Sequence, residues 1–175
     1  MRRLAWKWAM TRGVAGLVAG AIAALLWLAP PALAEDPLKL PRFASLDSSE
    51  VNLRMGPGKG YPILFVYQRK GLPVEIIEEF DTWRRIRDRD GTVGWVQQNL
   101  LSGKRSALIT DEARTIRTDP TGGAKPVAIL QPGVVARIEE CQDGDWCRVE
   151  IEGYKGWLRR DEFWGTYPDE AFEGK

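Results

Sequence analysis

The feature that most constrains this chain is its self-similarity. Asn52-Leu53-Arg54 is answered by Thr115-Ile116-Arg117, Pro57 by Pro120, and Trp83-Arg84-Arg85-Ile86 by Trp146-Cys147-Arg148-Val149, all at a spacing of 63. Gly94-Trp95-Val96 is answered by Gly156-Trp157-Leu158 at 62. Landmarks recurring in one order mean that each copy is one structural unit. Units of roughly 60 residues have thin cores. The two are therefore expected to pack against each other, with Lys104-Arg105-Ser106 at the junction.

Each copy reads as all-β. The first opens with a strand near Glu50 to Leu53, then the turn-rich Met55-Gly56-Pro57-Gly58-Lys59-Gly60. Ile63 to Tyr67 and Pro73 to Phe80 follow, both rich in β-branched and aromatic residues. Asp81-Thr82 connects to Trp83 through Arg87, Asp90-Gly91 signals a turn, and Thr92 to Val96 returns. Gln97 to Leu100 fits a single 3₁₀ turn. Short strands punctuated by turns at this density indicate small barrels or sandwiches, and no stretch after residue 35 has helical periodicity. Alternation assigns Cys147, Val149 and Ile151 to one face of their strand and Trp146, Arg148 and Glu150 to the other. The apolar face is expected to be the core. Ile86 takes the place of Val149 in the first copy, with Trp83 and Arg85 on the opposite face.

The first 34 residues stand apart. Arg2, Arg3, Lys7 and Arg12 precede the apolar run Gly13 to Leu28, Pro30 and Pro31 break it, and Ala32-Leu33-Ala34 is a small-x-small site. This is the layout of a secretory signal peptide cleaved after Ala34; the run is short for a membrane span of about 20 residues. The expected localisation is periplasmic or secreted, with no integral span after cleavage and an uncleaved inner-membrane anchor as the alternative. Without this segment the 25 basic and 24 acidic residues become 21 and 24, a formal net charge of −3. Such a balance does not suit a nucleic-acid partner.

Cys141 and Cys147 flank a turn containing Asp143-Gly144. Arms of a hairpin bring Cα atoms within bridging range, and an exported protein meets an oxidising compartment. A disulfide is expected. A metal pair would need more Cys or His ligands, and redox pairs are usually Cys-x-x-Cys.

Catalytic machinery is not visible. The chain contains no His, which removes Ser-His-Asp and Cys-His chemistry and most zinc hydrolase sites. Gly56 to Gly60 lacks the Lys-Ser/Thr and the helix of a phosphate loop. The acids Glu78-Glu79, Asp88 with Asp90, and Asp143 with Asp145 fall in turns or at strand ends, where solvated charge is the default even though two carboxylates suffice for a glycosidase. The expectation is a non-enzyme with no cofactor and no metal.

Asn52-Leu53-Arg54-Met55-Gly56-Pro57-Gly58 with Tyr61-Pro62, then Gly71-Leu72-Pro73-Val74-Glu75, Trp83 and Gly94-Trp95-Val96, resemble the landmarks of the bacterial SH3-like domain family. The second copy is a looser match, with Thr118 to Gly122 in place of Gly-Pro-Gly and no clear counterpart of Tyr61. The resemblance implies two tandem SH3-like barrels, residues 43–103 and 106–164, after a signal peptide helix and a linker, 35–42, with a polar C-terminal tail, 165–175. By analogy it implies binding of peptidoglycan or its peptide stems. Ligand-groove candidates are Asn52, Arg54, Tyr61, Trp83, Arg85 and Trp95, with Arg117, Trp146, Arg148 and Trp157 as weaker candidates in the second copy. Aromatic faces stack on sugars or extended peptides, and Arg pairs with carboxylates. The same aromatics could instead cap the core. The rival expectation is an envelope protein–protein adaptor acting through Tyr167-Pro168-Asp169-Glu170, although a terminus of this kind is commonly disordered.

Overall fold

The computed structural model describes residues 38–142 and 144–174. The expected signal segment, its cleavage site and Asp143 lie outside them. The first copy contains β1 (Arg42–Leu46), β2 (Val51–Arg54), β3 (Ile63–Tyr67), β4 (Pro73–Phe80), β5 (Trp83–Arg87), β6 (Val93–Gln97) and β7 (Leu101–Ser102). The second contains β8 (Ser106–Ile109), β9 (Arg114–Arg117), β10 (Pro126–Leu130), β11 (Val135–Cys141), β12 (Trp146–Ile151), β13 (Tyr154–Arg159) and β14 (Phe163–Trp164), and β15 (Phe172–Glu173) is added at the C-terminal end.

The strands of the first copy are ordered β3-β2-β6-β5-β4-β1-β7 and those of the second β10-β9-β13-β12-β11-β8-β14. Each strand of one order corresponds to the strand seven places later in the other. The strand pairings among the described residues are antiparallel, as expected of strands joined by short turns. The protein is thus all-β, built from two SH3-like barrels.

Eight core positions coincide between the two copies. Ala44, Leu46, Leu53, Tyr67, Val74, Ile76, Ile86 and Val96 are buried in the first. Ala107, Ile109, Ile116, Leu130, Ala136, Ile138, Val149 and Leu158 are their counterparts in the second. The spacing drifts between 63 and 62 because turns differ by single residues. Asp81-Thr82 between β4 and β5 has one residue fewer than its counterpart at 143–145, while β12 and β13 close more tightly than β5 and β6. Glu152 and Gly153 both have positive φ, 51° and 85°, as a two-residue type I′ hairpin requires. The first copy instead uses a longer loop, with Asp88 Oδ1 accepting from the N–H of Asp90 and of Thr92.

Gly94 and Gly156 show why glycine precedes tryptophan in both copies. A Cβ on Gly94 would lie 2.9 Å from the Arg54 carbonyl oxygen, and one on Gly156 2.9 Å from that of Arg117. The opening strand crosses the closing strand at this point, and no side chain fits between them.

Both barrels and the C-terminal residues form one compact unit. Ser45 donates to the Lys104 carbonyl at 2.7 Å, and Ser106 to that of Gly71 at 2.6 Å. Arg69 donates to the Gly133 carbonyl, and Arg89 pairs with Asp111 at 2.6 Å. The residues expected to form a polar tail depart from that expectation. Tyr167 packs on Phe43 with ring centroids 4.8 Å apart and donates to Glu75 at 2.6 Å. Arg105, buried, holds Glu170 through two hydrogen bonds of 2.7 Å and lies between the rings of Phe43 and Phe172. Phe172 pairs with Cys141 as part of β15. The segment is ordered because it covers apolar surface at the junction and neutralises a buried guanidinium. Arg42, placed in the linker from sequence, is the first residue of β1.

Candidate binding face

Register gathers several of the candidate residues into one line. Across the first sheet Ile63 pairs with Arg54, Arg54 with Trp95, Trp95 with Arg85, and Arg85 with Glu78. Directly paired residues project to the same side of a sheet, so these five side chains form a row facing away from the core. The second sheet repeats it as Pro126, Arg117, Trp157, Arg148 and Glu140. Each row places a half-buried tryptophan between two arginines.

The members of the row have different work. Arg54 donates from Nη1 to the carbonyls of Lys59 and Tyr61, at 3.1 and 2.8 Å, and so ties down the Gly56–Gly60 loop. Arg117 makes the corresponding bond to Ala124 at 3.1 Å. This recurring contact gives the first arginine of the row a structural role. Arg85 is more available: it pairs with Glu78 at 3.0 Å, but both side chains are about half exposed. Its counterpart Arg148 lies 3.5 Å from Glu139, a carboxylate that also takes Arg137 and Lys155 at 2.8 Å. The Lys155 hydrogen bond holds the Glu139 carboxyl below its ordinary pKa.

Tyr61 lies over the loop. A Cβ on Gly56 would come within 2.5 Å of its ring, so the loop can pass beneath the aromatic only because it is glycine. The ring remains 49% exposed. Trp83 is a correction to the groove expected from sequence: it is 8% exposed and cannot line an open surface together with Tyr61 and Trp95. It pairs with Phe80 and Gln97 at the end of the β4–β5 hairpin. Trp146 is half-buried at the corresponding place, and Asn52 is half-buried on β2. The larger clefts lie at the junction, including one of about 580 Å³ lined by Arg42, Phe43, Arg105 and Phe172. Among the described residues no cluster of three or more His, Cys, Asp or Glu side chains could hold a metal ion, and no helix is long and apolar enough to cross a membrane.

Cys141 and Cys147 are joined in a disulfide within the second core. Two further features escaped the sequence reading. One is the Arg105–Glu170 pair, whose partners are 65 residues apart. The other is the exposure of Ile63, Leu64 and Phe65, each about half accessible. A continuous apolar run does not reveal which members are covered. The available signal was the second copy, which has Pro126, Val127 and Ala128 there.

The bacterial SH3 domain family model matches residues 47–103 and 111–165, and the chain belongs to that family. No curated protein matches it. Among solved structures it is similar to NlpC2 from Trichomonas vaginalis, with 12% identity, 73% of this chain and 49% of that chain covered, and a TM-score of 0.33. It is also similar to NlpC1 from the same organism, at 13%, 74%, 48% and 0.33. An NlpC/P60 family protein from Bacillus cereus ATCC 10987 gives 14%, 71%, 56% and 0.32. The chain spans about half the length of these structures.

Proposed function

We propose that this protein is a non-catalytic binding module of the bacterial envelope, exported to the periplasm or beyond, that holds peptidoglycan or its peptide stems on the outer face of the first barrel. The observation that carries the reading is the row Arg54–Trp95–Arg85, flanked by the half-exposed ring of Tyr61. Aromatic rings offer stacking surface to sugars or to an extended peptide, and the Arg85 guanidinium offers a planar donor pair to a peptide carboxylate. The second barrel retains the row but has Ala124 at the position of Tyr61, so it lacks the aromatic ring that flanks the row in the first. Membership in the bacterial SH3 family and the signal-peptide layout support an envelope setting. The non-catalytic part rests on a sequence without His and on two cysteines joined to each other.

The test is co-sedimentation with purified sacculi. Tyr61→Ala and Arg85→Ala should each weaken pelleting severalfold, whereas Arg148→Ala should not. Absence of pelleting by the parent protein in mild salt would overturn the assignment.

A further inference from the structure

The first barrel carries three consecutive large apolar residues exposed on its edge strand, where the edge strand of the second exposes only Ile129 among its large apolar residues. β3 stands at the end of its sheet and pairs with β2 alone. Ile63 is 47%, Leu64 50% and Phe65 52% exposed. They are not all on one side. Ile63 registers with Arg54 on the outer face, Phe65 with the core residue Leu53, and Leu64 is the bulged residue between them. The free edge is therefore apolar on both faces of the strand. Proteins ordinarily protect such an edge with charge, proline or cover; Pro62 stands just before the strand, and Ile63 to Gln68 contains neither a charged residue nor a proline.

The barrel itself does not require these side chains. The second copy folds with Pro126, Val127 and Ala128 at the same places, and there Val127 and Ala128 pack on the core. Large apolar groups kept in solvent beyond the needs of the fold mark an interaction surface.

The flanking charge selects the occupant. Lys59 precedes β3, and Arg69 and Lys70 follow it. Among the described residues, Lys70 alone of these three makes an ion pair, with Asp47. Antiparallel pairing of β3 with a second copy would bring Lys59 of each chain toward Lys70 of the other, like charge toward like. We infer that β3 accepts an extended segment of another polypeptide, added as an antiparallel strand, with an uncharged apolar middle of about five residues and acidic residues at its two ends. Backbone hydrogen bonds to the free edge supply affinity, and an apolar run on both strand faces covers Ile63, Leu64 and Phe65. The acidic ends meet Lys59 and Arg69–Lys70.

A displayed library of random decapeptides, selected on the purified disulfide-bonded protein, tests this. Enriched peptides should contain an apolar strand-forming run between acidic ends. Their affinity, read by fluorescence anisotropy, should fall at least tenfold in Phe65→Lys and severalfold in Lys59→Glu. Ile129→Lys, at the exposed position of the second barrel's edge strand, should leave it unchanged. Amides of Ile63 to Tyr67 should gain protection from hydrogen exchange in the complex. Circular dichroism melting verifies that each variant is folded. No enrichment, enrichment without acidic ends, or affinity indifferent to Phe65→Lys would overturn the inference. So would a concentration-dependent dimer in sedimentation that Phe65→Lys abolishes, since a second copy would then hold the edge. Sacculus binding through Tyr61 and Arg85 should survive Phe65→Lys, so the two readings fail separately.

Discussion

Glu79 and Arg84 meet at 3.0 Å across β4 and β5, at the register position where Cys141 and Cys147 are joined in the second barrel. One barrel closes this end of its core with an ion pair and the other with a covalent bond. The ion pair belongs to a cluster, since Glu79 also takes Arg42 at 2.5 Å and Arg84 donates to Gln98 at 2.7 Å. The cysteines instead sit in the core and need no polar partners. The disulfide is therefore one of two solutions to the same packing position.

Reducing the Cys141–Cys147 bridge, or replacing both residues with Ala, should destabilise the protein by about 2 kcal/mol, the value for closing so short a loop. Thermal melting with and without reductant measures it. A double variant Glu79→Cys with Arg84→Cys should form a second bridge on oxidation. Thiol alkylation followed by mass spectrometry would find four free thiols only after reduction.

Gly94→Ala and Gly156→Ala should each cost roughly 1–3 kcal/mol, as overpacking does. A new Cβ at Gly94 would meet Leu53 Cγ at 2.6 Å, and at Gly156 the Arg117 carbonyl at 2.9 Å. Denaturant unfolding would show the loss. Gly103→Ala, where nothing lies within 4 Å of the added atom, should be nearly silent.

Glu170→Ala should destabilise by about 3 kcal/mol, because it leaves a buried guanidinium without its carboxylate. Arg105 is 7% exposed, and Glu170 supplies both of its carboxylate contacts. Proteolysis should then release residues 165–174 faster than from the parent protein.

Buried groups at this junction and within the first barrel set a pH dependence with two limits. Burial would raise the Glu170 pKa, but the Arg105 hydrogen bonds and charge outweigh it and hold the carboxyl below 4.5. A carboxyl depressed on folding contributes stability above its unfolded pKa, and that contribution is lost as pH falls below about 4.5. Tyr67 and Tyr167 behave oppositely. Burial, then the hydrogen bonds they donate to Asp88 and Glu75, push both phenols above their usual 10.0. Their contribution is complete below pH 10.0 and lost as pH rises beyond it. Melting temperatures should fall at both ends, and Tyr167→Phe should flatten the alkaline limb.

Much of the architecture is legible in the sequence. β3, β4 and β5 run Ile63–Tyr67, Pro73–Phe80 and Trp83–Arg87, the ranges expected from the apolar and β-branched runs. Alternation placed Cys147 and Val149 in the core. Within the candidate row, sequence picked out Arg54, Arg85 and Trp95 through their recurrence in both copies. It did not separate the arginine that ties down a loop from the one that faces solvent. Trp83 and Trp95 recur equally well, and only one of them is closed off.

What the sequence determined by itself is the doubled β unit, the inward face of β5 and β12 and the pairing of its two cysteines. These follow from local chemistry: a period of two along a strand, turn residues at fixed offsets, and repetition along one chain. The tertiary structure decided which apolar residues stay outside. Trp83 is buried, whereas Phe65, on an edge strand that pairs with β2 alone, is half exposed. It also decided the fate of the C-terminal segment, since Glu170 has no visible reason for order until Arg105 is buried between Phe43 and Phe172. Such contacts join residues far apart in the chain, and no short-range pattern encodes them.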